Sequence, residues 1–154
     1  MNKKEVIHII EYCKDIPDEI KLNNKIVKNL EDQYYTLPGI VVDGQPKGKG
    51  GISNPVEVAV LNIPSGVSEL IRKYEKRTKL LERLYKEIME EIGKLSYRER
   101  KIIYGFYIED LRWEKIAQGF YSIRQCKNIR DIAIEKLAKQ FKSNTIIQKY
   151  MKEK

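Results

Sequence analysis

The 154-residue sequence has a single histidine, His8, and only two cysteines, Cys13 and Cys126. One imidazole cannot build a multi-histidine metal site, and a His8-based triad has no partner in this pattern. The two cysteines lie in unrelated segments, which argues against a disulfide framework and for a reducing, cytoplasmic setting. Cys126 reads as a small core residue rather than a nucleophile. No apolar run approaches the ~20 residues of a membrane span, so no membrane partner is expected. An acidic residue, Glu5, precedes any apolar stretch, and the start of the chain does not read as a signal peptide. Strand alternation, internal repeats and long low-complexity tracts are also missing, which leaves an all-α fold. The glutamates fall beside lysines on helix surfaces without converging, so the expectation is no enzyme, no cofactor and no metal.

Positive charge is present in excess and unevenly placed. The formal net charge is +8, and residues 96–154 alone hold 14 Lys and Arg against 7 Asp and Glu. Residues 1–95 hold 16 against 15, so nearly all the excess lies in the last third. Such asymmetry suits a polyanionic partner.

Val6, Ile9, Ile10 and Cys13 recur at i, i+3, i+4 and i+7, one stripe of a short amphipathic helix. Asp15 and Pro17 are expected to restart the chain as a second helix, with Ile20, Ile26, Val27, Leu30 and Tyr34 inward, ending before Leu37-Pro38-Gly39. Residues 36–54 change character. Asp43 to Gly51 holds four glycines and a proline, which reads as an exposed flexible loop. Its Gly48-Lys49-Gly50 step lacks the spacing of a phosphate-binding loop. A long helix is expected over about 66–94, where Val67, Tyr74, Leu81, Ile88 and Leu95 recur every seven residues. Glu75–Lys79, Glu82–Lys86 and Glu90–Lys94 are spaced to pair along it. Arg77 and Glu91 interrupt the seam, against a strict two-stranded coiled coil. The stripe could pack on the N-terminal helices or on a second subunit. The organisation read from this is a helical module over 1–94, for self-association or protein contact, then a second, basic domain over 95–154 ending in a short basic tail helix.

The C-terminal third carries the chemistry. Ser96 and Glu99 form an S-x-x-E capping box opening a helix with Ile102, Ile103, Phe106 and Tyr107. A short helix follows over Trp113–Gln118, a tight turn at Gly119-Phe120-Tyr121, and a second box from Ser122 to Gln125 that opens a helix to about Gln140. Two short helices joined by about three residues make a helix-turn-helix. On the last helix Cys126, Ile129, Ala133, Ile134 and Leu137 fall inward, while Arg124, Gln125, Lys127, Asn128 and Asp131 fall outward. Such N-terminal turns enter the DNA major groove, where Arg pairs with guanine and Asn or Gln with adenine. Arg124, Gln125 and Asn128 are thus candidates for base edges. Lys115, Lys127 and Arg130 are candidates for phosphates, and Ser122 is the cap beside which a phosphate is favoured.

Residues 95–140 resemble region four of bacterial sigma factors. The likeness rests on Leu95-Ser96 with Glu99-Arg100, Ile102-Ile103, Phe106-Tyr107, Glu114-x-Ile116-Ala117, and an ungapped fit from Ser122 onward. The whole chain is similar to phage late-gene transcriptional regulators of the RinA/ArpU type, through this domain, Trp113, Tyr121-Ser122 and the segment Ile52-Ser53-Asn54-Pro55-Val56-Glu57-Val58-Ala59. The resemblance implies double-stranded DNA as partner and an activator-like late-gene regulator in a bacterial host cell; the sequence leaves open the sign of regulation and whether RNA polymerase or a homo-oligomer is a further partner. Two departures from the sigma pattern stand out. The turn before Ser122 is one residue shorter, and Arg112 takes the usual Ser/Thr cap position, with Asp110 as a substitute cap. A stand-alone sigma-like factor, a small-terminase-like packaging subunit and a structural helical adaptor are the rival readings.

Overall fold

Helical spacing of the apolar residues, with no strand pattern to compete, folds the chain as an all-α protein. A computed structural model describes residues 1–42, 65–119 and 122–153. Among them are six α-helices: α1 Lys3–Val42, α2 Ser65–Gly93, α3 Tyr97–Ile103, α4 Trp113–Ile116, α5 Ile123–Ser143 and α6 Thr145–Glu153. A π-helical turn, Tyr104–Ile108, runs on from α3. No described helix is long and apolar enough to cross a membrane.

The expected break at Asp15-Pro17 does not occur in the backbone. Helix α1 continues through Pro17, and again through Leu37-Pro38-Gly39, to Val42. Proline inside a helix gives up one backbone hydrogen bond. Here Cys13 and Ile16, both buried just before Pro17, hold the helix by packing. The part of the expected loop at 36–42 is therefore helical, and the remainder, with the 52–59 segment, lies outside the described residues.

Packing divides the chain into two compact units, Met1–Pro17 with Leu81–Lys154 and Asp18–Leu80. The sequence boundary at 94/95 is thus not where packing divides. Pro17 marks the edge of a unit rather than the end of a helix. In the first unit Val6, Ile9, Ile10, Cys13 and Ile16 are buried, as are Leu81, Leu84, Ile88 and Ile92. This half of the long α2 stripe is covered by the chain itself. In the Asp18–Leu80 unit the residues expected inward on α1, Ile20, Ile26, Val27, Leu30 and Tyr34, are only half-buried, and Asn23 is the buried position.

The i, i+4 pairs expected along α2 are rearranged. Lys86 pairs forward with Glu90 at 3.8 Å, and Lys94 pairs with the buried Glu91 at 3.1 Å. Glu91 and Glu87 accept from the Asn144 amide at 3.0 and 2.9 Å. Asn144 Oδ1 in turn accepts from the Ile146 and Ile147 backbone N–H groups, both at 3.1 Å. One asparagine therefore ends α5, caps α6 and ties the corner to α2. The expected tail helix is α6, with Ile147 and Tyr150 buried and Tyr150 stacked on Tyr12 at 5.3 Å.

Candidate nucleic-acid interface

The segment read from sequence as a helix-turn-helix forms around a small core of Ile102, Ile116 and Cys126. Phe106, Leu111, Trp113, Ala117 and Ile129 pack against it. Residues from α3, the π turn, α4 and α5 each place a side chain there, so the core locks the helices to one another. Helix α3 starts on the capping box read from sequence. Glu99 N–H donates to Ser96 Oγ at 3.3 Å, and Ser96 N–H donates to Glu99 Oε1 at 3.1 Å. Glu99 is buried and also accepts from Lys136 Nζ of α5 at 3.0 Å. Burial pushes its carboxyl upward, but the bonds from Lys136 and Ser96 prevail and hold it below the ordinary value.

The chain then turns through Asp110, whose φ of 55° lies in the left-handed region that Asp tolerates better than most residues. Its carboxylate takes an ion pair from Lys14 rather than capping α4. That hydrogen bond, above all, raises the Lys14 amine. Arg112 is the N-cap of α4 and makes no side-chain cap bond, so neither residue supplies the missing cap. Helix α4 is a single turn, Trp113–Ile116, shorter than the six residues expected. Gly119, at φ 77°, begins the turn to α5 in a conformation glycine adopts without strain. Phe120 and Tyr121 lie outside the described residues.

Ser122 caps α5 by accepting from Gln125 N–H at 3.1 Å. Only this half of the expected second capping box forms. Cys126, Ala133, Ile134 and Leu137 are buried as read from sequence, Ile129 is half-buried, and Phe141 extends the face to Ser143. Arg124, Gln125, Lys127 and Asn128 stand exposed together on the first two turns, with Lys115 exposed on α4. These side chains surround a helix N-terminus whose free N–H groups favour an anion.

Comparison with models of known protein families, with characterised proteins and with solved structures finds no match for this chain. The geometry of the site stands on its own.

Arg130 sits differently from the other candidates. Its side chain is 21% exposed, and its Nε donates to Asp131 Oδ1 at 3.1 Å. Its guanidinium lies over Trp113 at 5.3 Å and over Phe106 at 6.0 Å, rings that are themselves stacked 4.4 Å apart. Lys127 Nζ reaches to 5.8 Å from the Trp113 ring. Asp131 also accepts from Lys3 Nζ at 3.1 Å, and this bond, ahead of that from Arg130, holds its carboxyl below the ordinary range. Arg130 thus fastens α5 to the Phe106–Trp113 platform. Sequence reading missed this fastening and the Lys3–Asp131, Lys14–Asp110 and Glu99–Lys136 pairs, because each joins segments far apart in the chain and leaves no local signal.

Proposed function

We propose that this chain is not an enzyme but binds double-stranded DNA, laying the first two turns of α5 in the major groove as a phage-type transcriptional regulator. One observation carries the reading. Arg124, Gln125, Lys127 and Asn128 are exposed together at a serine-capped helix N-terminus whose opposite face is buried. Arginine, glutamine and asparagine are the side chains that make paired hydrogen bonds to guanine and adenine edges. Lys127 and Lys115 supply cations for flanking phosphates, and Arg130 contributes positive potential from its platform. The excess charge after residue 95 supports the same partner. The regulatory role rests on the resemblance of residues 95–140 to sigma region four.

The test is selection of short duplexes from a random pool by the full-length protein, followed by sequencing and by titration at several salt concentrations. The expected result is an enriched motif, and a binding constant that falls steeply with salt as counterions are released. Absence of affinity for duplex DNA at low salt would overturn the reading.

A further inference from the structure

The corner where α2, α5 and α6 meet holds a cavity of about 580 Å³, lined entirely by residues of the first unit. Glu87 and Glu91 of α2 line it, with Gln140 of α5 and Asn144 between α5 and α6. Lys94 and Lys139, both exposed, complete its charged lining. The volume lies in the range of small-molecule sites.

Two oxygens at this cavity lack a donor. Glu91 is 5% exposed, and its Oε1 accepts from the Asn144 amide at 3.0 Å. Its Oε2 is buried and accepts no hydrogen bond, and the same holds for Gln140 Oε1. Lys94 Nζ lies 3.1 Å from Glu91 Oε2 and offsets its charge, but at an angle that makes no hydrogen bond. Asn144 has no donor left, because its two N–H bonds go to Glu87 and Glu91. Its Oδ1 already caps α6. Buried acceptors without a donor are rare, since each gives up its hydrogen bonds to water. Two of them lining one cavity fit N–H donors brought from outside the chain.

The rest of the lining narrows the donor. Among the described residues no group of three or more His, Cys, Asp or Glu could hold a metal ion. The two acceptors come from different helices, and a guanidinium is a planar fork whose several donors reach both at once. It is also weakly hydrated for a cation, so it enters a buried site more readily than an ammonium. The two carboxylates and two lysines of the lining sum to zero charge. A zwitterion is therefore matched at both ends, with its cation at Glu91 and Gln140 and its anion toward Lys94 and Lys139.

We propose that this cavity binds a small guanidinium-bearing zwitterion of the amino-acid class, whose guanidinium donates to Glu91 Oε2 and Gln140 Oε1. The assignment does not depend on the DNA reading, and its test uses no DNA. Calorimetric titration of the full chain with L-arginine should show saturable binding. L-citrulline has the same shape without the side-chain charge, and should bind about tenfold more weakly. Gln140→Leu removes one of the two acceptors and should weaken L-arginine about fivefold. A merely structural Gln140 predicts instead an equally stable or more stable protein with binding unchanged. Glu91→Gln should lose the saturable heat while keeping its helical circular dichroism. Glu82→Gln, exposed on α2 outside the cavity, should bind as the wild type does. No saturable heat up to about 10 mM L-arginine overturns the proposal. So does equal affinity for L-citrulline, or a folded Gln140→Leu that binds as the wild type does, which would mark an adventitious additive only.

Discussion

Within α5, the proposed DNA reading gives neighbouring side chains different tasks, and single substitutions separate them. Arg124 is exposed in the first turn, on the side away from Cys126. If it pairs with guanine, Arg124→Ala should cost about 1–3 kcal/mol on the preferred duplex and relax selectivity at one base pair. Lys127→Ala should instead weaken all duplexes alike and reduce the salt slope by about one. Competition of operator against random DNA measures both, and an unchanged ratio for Arg124→Ala removes it from base reading. Glu99 answers to pH. Its folded-state pKa lies below the ordinary 4.5, so its contribution to stability is present above that value. That contribution is lost as pH falls through the lowered value. Denaturation of Glu99→Gln should show a shallower loss of stability below about pH 4.5 than the wild type. Equal slopes would mean that the Lys136 bond adds nothing.

At the scale of elements, local signals were legible and long-range ones were not. The Ser96–Glu99 box, the ends of α2 and the buried face of α5 follow from residues within a few positions of each other. Pro17 misled because a local helix breaker was outweighed by the burial of Ile9, Ile10, Cys13 and Ile16. The π turn at Tyr104–Ile108 has no sequence signature. It adds a residue to a helical turn and brings Phe106 to the Trp113 ring, the stack over which Arg130 rests. For the candidate site, the exposed set was readable from period and cap alone, whereas the Arg130 fastening needed Phe106 and Trp113 in space. The Ser122 cap gives an element-scale prediction. Ser122→Ala should destabilise the DNA-free protein by about 1 kcal/mol and Ser122→Asp should restore it, because both Ser and Asp accept from the N-terminal amides. Thermal unfolding without DNA reads this, and an unchanged midpoint for Ser122→Ala would show that tertiary packing alone holds the helix start.

For the whole molecule, charge and packing divide the chain at different places. The excess charge begins near residue 95, which invites a fragment of 95–154 as a minimal DNA binder. Packing says otherwise, because Met1–Pro17 and Leu81–Gly93 belong to the same compact unit as α3 to α6. Five residues of the first segment, Val6, Ile9, Ile10, Cys13 and Ile16, are at most 1% exposed. Losing one buried isoleucine typically costs about 2–5 kcal/mol, so losing this whole face exceeds the ~5–15 kcal/mol stability of an ordinary domain. The two surface pairs, Lys3–Asp131 and Lys14–Asp110, add little to that sum, since exposed ion pairs are screened by solvent. Deletion of residues 1–17 should therefore abolish cooperative unfolding of the C-terminal unit. Fluorescence of Trp113, the single tryptophan, reports it, since its ring is stacked on Phe106 inside that unit. Ile10→Ala, at a fully buried position on the same face, should keep the transition and lower its midpoint. A sharp, unshifted Trp113 transition in the deletion variant would show that the C-terminal unit folds without the N-terminal segment.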